Sequence, residues 1–229
     1  MKHGTETIKA IMAVLTGLID NYMSKPFVSL NIHISEGNKK IGKVYNWSMA
    51  PGITCGNCSC CLPYCYDVKA CLQYPNVRTA RAENTAMMKM DREKTFSMID
   101  EFISKKKVHK AFRWHVSGEI LDVDYFDHMV KIARRHSDWI FWTYTKMYFV
   151  VNEWIRKNGK DALPSNLSVM FSVWNGLPCP NPYDMPTFTC IQEGMAPDPR
   201  EWRCPGNCDV CLKSGHGCPH GESSNVDEH

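Results

Sequence analysis

Between residues 44 and 174 the chain alternates two hydrophobic periods, and this alternation limits its fold more than any other feature. "KVYNWSMAPG" reads as a strand that stops at a Pro-Gly turn, and "PNVRTARAENTAMMKM" and "DREKTFSMIDEFISKKK" read as helices. The second helix sets Phe96, Ile99, Phe102 and Ile103 at helical spacing, with Asp91 and Glu93 near its start and lysines near its end. Both charge placements suit the helix dipole. "HKAFRWHVSGE" is then a strand, "DVDYFDHMVKIARRH" a helix capped by Asp122 or Asp124, and "DWIFWTYTK" a strand. "MYFVVNEWIRKNG" is a helix ended by Gly159, and "NLSVMFSVW" a further strand. Repeated strand–helix–strand units fold as a parallel sheet with helices packed outside it. A complete eight-unit barrel takes about 250 residues. This chain has 229 and spends part of them on cysteine-rich loops. The expected fold class is therefore α/β: a partial (β/α) TIM-like barrel over residues 1–178, with one more strand at "TFTC" inside a cysteine-rich extension over 179–229.

Composition and charge remove several classes. Hydrophobic residues make up 44% and charged residues 22%, which predicts a globular chain. The formal net charge is only +3 and the signs are interspersed, so charge does not support a nucleic-acid partner. "IKAIMAVLTGLID" places Ile8, Ile11, Met12, Leu15, Leu18 and Ile19 on one helix face. It is too short and too amphipathic to span a membrane, and no A-x-A-like cleavage site follows it. An N-terminal amphipathic helix, a cytoplasmic location and no membrane partner are expected. The closing "GESSNVDEH" reads as disordered.

The cysteines fall in two groups. Six lie between 55 and 71, none between 72 and 178, and six between 179 and 218. In a reduced compartment such a density points to metal or redox chemistry rather than disulfides. Thiolates select zinc, copper(I) or iron in sulfide clusters. In the first group Cys55-x-x-Cys58 is one close pair, but no second pair follows to complete a zinc-knuckle pattern. Cys55, Cys61 and Cys65 instead give three thiolates on a loop that runs into a helix start. Three ligands on a cubane leave one iron open. Structural zinc stays an alternative. In the second group Cys208-x-x-Cys211 joins Cys204 and Cys190 in a four-thiolate set, suited to a closed [4Fe–4S] cluster or an all-cysteine zinc site. His216 and His220 are candidate additions. Cys179 reads as a ligand near the mouth or, preferably, as a small buried residue.

Ligands of parallel sheets bind beyond the carboxyl ends of the strands. The first cysteine group follows one such end. Ser117, Gly118 and Glu119 follow the next, Thr145 and Lys146 the third, and Trp174, Asn175 and Gly176 the fourth. His115 reads either as a core histidine or as an acid–base or hydrogen-bonding group at this rim. Lys146 ends an apolar strand and is suited to holding a carboxylate or phosphate. Arg113 reads as an ion-pair partner or a carboxylate clamp. Ser117, Gly118, Glu119, Lys146, His115 and Asn175 are thus the candidate cofactor-binding residues, and no catalytic residue is assigned.

"SMAPGITCGN…CCLPYCYDVKACLQYPNV", "FRWHVSGEI", "WTYTK" and "CPGNCDVC" together resemble the phage-associated gene-product-88 family. That family's pattern has a C-x3-CYA-x-K segment, an FR-x-H-x-SGD strand end and a YTK strand end. Here Asp67 stands where the pattern has alanine, Glu119 where it has aspartate, and Cys58 and Cys60 are additional. The family is in turn similar to radical S-adenosylmethionine enzymes, which pair a three-cysteine loop with a small-residue–Gly–Glu turn. Ser117-Gly118-Glu119 occupies the place of that turn, which in those enzymes receives the cofactor's methionine amino group. The radical CxxxCxxC motif is incomplete, because Val68 stands in the third cysteine's place. The resemblance implies a radical-SAM-like partial barrel, a [4Fe–4S] cluster at its mouth, a second in the tail and S-adenosylmethionine as a further cofactor.

Three functions from different classes follow. The first is an iron–sulfur enzyme acting on a small-molecule ligand. The second is an electron-transfer or sensor protein without a substrate, served by an electron donor, with Cys58 or Cys71 closing the first cluster. The third is a zinc-stabilised binding protein of a mobile element.

Overall fold

The computed structural model describes residues 2–39 and 41–227. Its strands are β1 (Ile34–Ser35), β2 (Tyr45–Trp47), β3 (Ala111–Trp114), β4 (Ile140–Thr145), β5 (Leu167–Val173), β6 (Thr187–Ile191), β7 (Trp202–Arg203) and β8 (Ser224–Asp227). They form one sheet in the order β1-β2-β3-β4-β5-β6-β8-β7. Only β1 runs antiparallel to its neighbour. Strands β2 to β6 lie side by side in chain order, as successive crossovers of one hand produce. Among the described residues the sheet is open, with β1 and β7 at its edges. The result is a mixed α/β fold around an open, mostly parallel sheet.

The helices are α1 (Thr5–Met23), α2 (Tyr66–Gln73), α3 (Pro75–Met90), α4 (Arg92–Lys105), α5 (Val123–Arg135), α6 (Tyr148–Asn158) and α7 (Cys208–Ser214). Their ends follow local chemistry. Asp91 caps α4 by accepting from the Lys94 amide at 3.0 Å, and Asp122 caps α5 by accepting from the Tyr125 amide at 2.9 Å. Each cap contributes about 1 kcal/mol. Gly159 ends α6 at φ 85°, a backbone that a side chain resists. Among the described residues no helix is long and apolar enough to cross a membrane.

Strand alternation separates two layers. Tyr45, Trp47, Phe112, Trp114, Phe141, Val169 and Phe171 pack with α4, α5 and α6 into the main core. The opposite face carries Trp142 and Met170, which pack with Val44, Ala111 and Cys218, with Tyr144, Phe188, Cys208 and Leu212 against them. Trp139 and Phe141 therefore face the helices, and Trp142 and Tyr144 face inward, as the strand period requires. In a closed barrel this inner face would meet itself. Here the C-terminal extension covers it with α7 and the turn Cys218–His220. A third apolar cluster joins α1, α2 and α3 through Ile11, Leu15, Ile19, Val68 and Ala82.

The closing segment differs from the expectation of disorder. Its residues Ser224–Asp227 form β8, inserted in parallel between β6 and β7. Ser224 and Asn225 are buried. Asn225 Nδ2 donates to the Asp198 carbonyl at 3.1 Å, and its Oδ1 accepts from Arg203 Nη1 at 2.9 Å. Strand pairing and these side-chain bonds satisfy a polar stretch whose composition alone reads as solvated.

Candidate metal centre

The first cysteine loop leaves β2 under tight control. The Met49 amide donates to the Ser117 carbonyl at 3.0 Å, and the Ser117 amide donates to Ser48 Oγ at 3.3 Å. The ends of β2 and β3 are thus stitched together. From α3, Asn84 Nδ2 donates to the Ser48 carbonyl at 2.8 Å, and Thr85 Oγ1 accepts from the Ala50 amide at 2.9 Å. Gly118 sits at φ 87°, and a side chain there would meet Thr54 Oγ1 at 2.9 Å and Met49 Cβ at 3.0 Å. Further along, Asn57 Nδ2 donates to the Lys146 carbonyl at 3.1 Å, tying the loop to the end of β4. His3 Nε2 bonds the Cys65 carbonyl at 3.0 Å where the loop enters α2.

The loop and the tail enclose one cavity of about 450 Å³ on the inner side of the sheet. Nine of the twelve cysteines line it. Cys55, Cys58, Cys61 and Cys65 come from the first group; Cys190, Cys204, Cys208, Cys211 and Cys218 come from the second. All seven cysteines expected as ligands are among them, and the two groups, far apart in sequence, open into the same space. Cys60, Cys71 and Cys179 are not in the lining. Cys71 is buried in the α1–α2–α3 cluster, and Cys179 packs against the main core.

None of the twelve cysteines is in a disulfide, and burial is the main influence on the ionisation of five of the cavity thiols. It pushes Cys65 and Cys218 up to about 11 and raises Cys61, Cys208 and Cys211 as well. Cys58 is the exception: a hydrogen bond from Cys55 and the nearby Lys146 charge bring it down to about 7. Cys55 rises correspondingly, because it keeps the shared proton. Metal binding replaces such protons with a cation, so buried thiols of raised pKa remain competent ligands. Among the described residues no three Cys, His, Asp or Glu side chains are grouped to clasp a single ion. Nine thiols line the cavity wall, a donor type that zinc and iron–sulfur clusters share.

The rim carries the polar residues. Glu119 is buried, accepting from Thr145 Oγ1 at 2.7 Å and from the Lys146 amide at 2.8 Å. Desolvation raises its pKa, and the Lys146 charge opposes the rise. Lys146 Nζ lies 5.9 Å from the centre of the Trp174 ring. Ser117 is buried, and its hydroxyl has no hydrogen-bond partner among the described residues. Ser117, Gly118, Glu119, Lys146 and His115 all line the cavity. His115 is held between Tyr125 Oη at 2.8 Å and Thr143 Oγ1 at 3.3 Å, and burial lowers its pKa to about 3. It is a neutral, structurally engaged imidazole at the cavity wall. Asn175 is exposed and outside the lining, because the chain turns outward after Trp174.

The family model described as Gene product 88 matches residues 29–176, more than half of the chain. The chain belongs to the Gene product 88 family. The matched span contains β1 to β5, the whole first cysteine group and the rim residues 115–119 and 146. It ends before Cys179, so the second thiol group lies outside it. No curated protein and no solved structure matches the chain.

Three further cavity residues stand outside the expected ligand and cofactor-binding sets. Cys58 and Cys218 stand with the other thiols. Arg113 also lines the cavity, its guanidinium 4.6 Å from the centre of the Tyr144 ring. Strand parity was the one signal for Arg113: it shares the inward face of Trp142, its register partner.

Proposed function

We propose that this Gene product 88 protein is an iron–sulfur protein, and that it works as a radical-SAM-like enzyme on a small molecule bound at the rim. One observation carries the reading: thiols from two distant segments line a single cavity at the ligand-binding side of a parallel sheet. Cys55, Cys61 and Cys65 would hold one [4Fe–4S] cluster, and Cys190, Cys204, Cys208 and Cys211 a second. Such clusters supply low-potential electrons.

The chain's own residues would do the rest. Lys146 offers a fixed positive charge to a carboxylate or phosphate. The unpartnered Ser117 hydroxyl offers a hydrogen bond to a ligand, and Glu119 offers a carboxylate held in place by Thr145 and the Lys146 amide. His115 stays neutral and supports the wall. Binding of S-adenosylmethionine at the Ser117–Glu119 turn extends the analogy with radical enzymes.

A second reading is supported by Cys58. It lies beside Cys55 and gives the first loop four cavity thiols, enough to close its cluster. The protein would then relay or sense electrons without a substrate. The deciding experiment is anaerobic purification with iron, sulfide and zinc analysis, followed by EPR with and without S-adenosylmethionine. About eight irons per chain match two cubanes. A spectrum altered by S-adenosylmethionine supports the enzyme, and an unaltered one supports the relay. Zinc-rich, colourless protein that gains no iron on reconstitution rejects both.

A further inference from the structure

We propose that Arg113 is the internal counter-charge of the cluster held by the tail thiols and sets that cluster's reduction potential. The inference rests on the iron–sulfur reading above and adds a role for a residue that binds no iron.

Arg113 stands on β3, in the inward row of the sheet. Among the described residues its buried Nε finds no hydrogen-bond acceptor, while the guanidinium bonds the Cys208 side chain. The guanidinium lies over the Tyr144 ring, 4.6 Å from its centre. The groups that interact most strongly with its charge include Tyr144, Tyr66, Cys208 and Cys218. All of these are neutral when protonated. The carboxylates of the cavity are engaged elsewhere: Asp67 by Arg81, Asp227 by Arg203, and Glu119 by Thr145 and the Lys146 amide. Among the described residues no carboxylate pairs with Arg113.

A guanidinium cannot shed its proton to escape such a site. A buried charge without a partner is costly, so a folded protein that keeps one has an anion to set against it. Thiolate ligands supply that anion. A cubane on four cysteine thiolates carries net negative charge, and one-electron reduction adds another. A fixed cation beside Cys208 and Cys218 favours the reduced state. It therefore moves the potential upward, since net charge near the sulfurs is one of the determinants of cluster potential. The planar, weakly hydrated guanidinium suits this place better than an ammonium. Cys218 belongs to the same arrangement. It packs in the inner apolar cluster with Cys208 against it, and a side chain on its neighbour Gly217 would stand 3.1 Å from Cys211 Sγ.

The test uses the full chain, reconstituted anaerobically with iron and sulfide, as wild type, R113K and R113Q. The relevant cluster is the one whose EPR signal disappears in Cys208→Ser. EPR-monitored redox titration should give R113Q a more negative midpoint for that cluster and leave the other cluster nearly unmoved. R113K should restore most of the difference. In metal-free protein the sign should reverse: R113Q should melt higher than wild type, because it removes an unpaired buried cation. An unchanged midpoint in fully loaded R113Q overturns the proposal and leaves the cluster reading intact. If R113Q does not fold, R113M takes its place, since its unbranched apolar chain fills the same space without the charge. The same negative shift is expected of it, and an unchanged midpoint again overturns the proposal. Wild-type protein that takes up no iron overturns the cluster reading itself, and this inference with it.

Discussion

Asp67 and Arg81 meet in a forked ion pair at the cavity wall, Nε to Oδ2 at 3.1 Å and Nη2 to Oδ1 at 3.2 Å. Both side chains are largely removed from water, and Cys71 Sγ donates to the same Oδ2 at 3.9 Å. The pair joins the first turn of α2, two residues after Cys65, to the middle of α3. It fixes the end of the cysteine loop against the helix layer. Asp67→Ala alone should destabilise the metal-free protein by about 3–5 kcal/mol, because Arg81 is left charged and unpaired. Asp67→Ala with Arg81→Met should recover most of that loss. A double-mutant cycle by urea unfolding checks it. Equal losses in the single and double variants would show that Arg81 is solvated without Asp67.

Glu119 makes the corresponding link between β3 and β4. Glu119→Ala removes the acceptor of the Thr145 hydroxyl and the Lys146 amide, and should cost about 2–4 kcal/mol through two unsatisfied donors. Lys146→Ala keeps that backbone bond, so its stability should change little while ligand binding at the rim falls. Isothermal titration with S-adenosylmethionine, together with iron analysis, separates the two effects. A Lys146→Ala protein that loses iron would assign the residue to cluster retention instead.

The framework was legible in the sequence because each element carried its own period and punctuation. Asp91, Asp122 and Gly159 mark helix ends, and β2 to β6 fall where alternation places them. The tail was less legible. Polar Ser224 and Asn225 become buried only through pairing with β6 and β7, which no local pattern encodes. The site was half legible. Spacing singled out seven cysteines, but spacing acts within one segment, and it cannot show that two distant segments share a cavity. Cys58 and Cys218 join through that tertiary closure. Asn175 illustrates the reverse: it follows a strand end, yet the turn directs it to solvent.

His115 should leave a signature in acid. Its ordinary pKa is about 6.5, and burial lowers it to about 3 in the folded protein. Between these values the unfolded chain holds a proton that the folded one lacks. Stability is therefore full above the unfolded value and falls as pH drops through the window, by up to about 1.4 kcal/mol per pH unit. His115→Asn tolerates the left-handed backbone at φ 55° and removes the titration. In metal-free protein its stability should depend less steeply on pH between about 4 and 6 than that of the wild type. Parallel pH profiles from urea unfolding would reject the assignment of a neutral buried imidazole.

The cavity divides the cysteines into two classes that can be told apart by metal content. Cys60, Cys71 and Cys179 lie outside its lining, and Cys71 is buried among aliphatic side chains with its thiol pushed up to about 12. Alanine at these three positions should leave iron per chain unchanged, although Cys71→Ala costs some stability through the lost packing. Alanine at Cys65 or Cys208 should remove up to one cluster, a loss of about four irons. Cys58 and Cys218 are the informative positions, since neither is among the seven cysteines expected as ligands. Iron loss in Cys218→Ala with full iron in Cys190→Ala would make Cys218 the fourth tail ligand. Iron loss in Cys58→Ala, with an EPR spectrum insensitive to S-adenosylmethionine in the wild type, would close the first cluster and favour electron relay. Full iron in Cys58→Ala leaves three thiolates on that loop and an iron free to meet the ligand that Lys146 and Ser117 would hold.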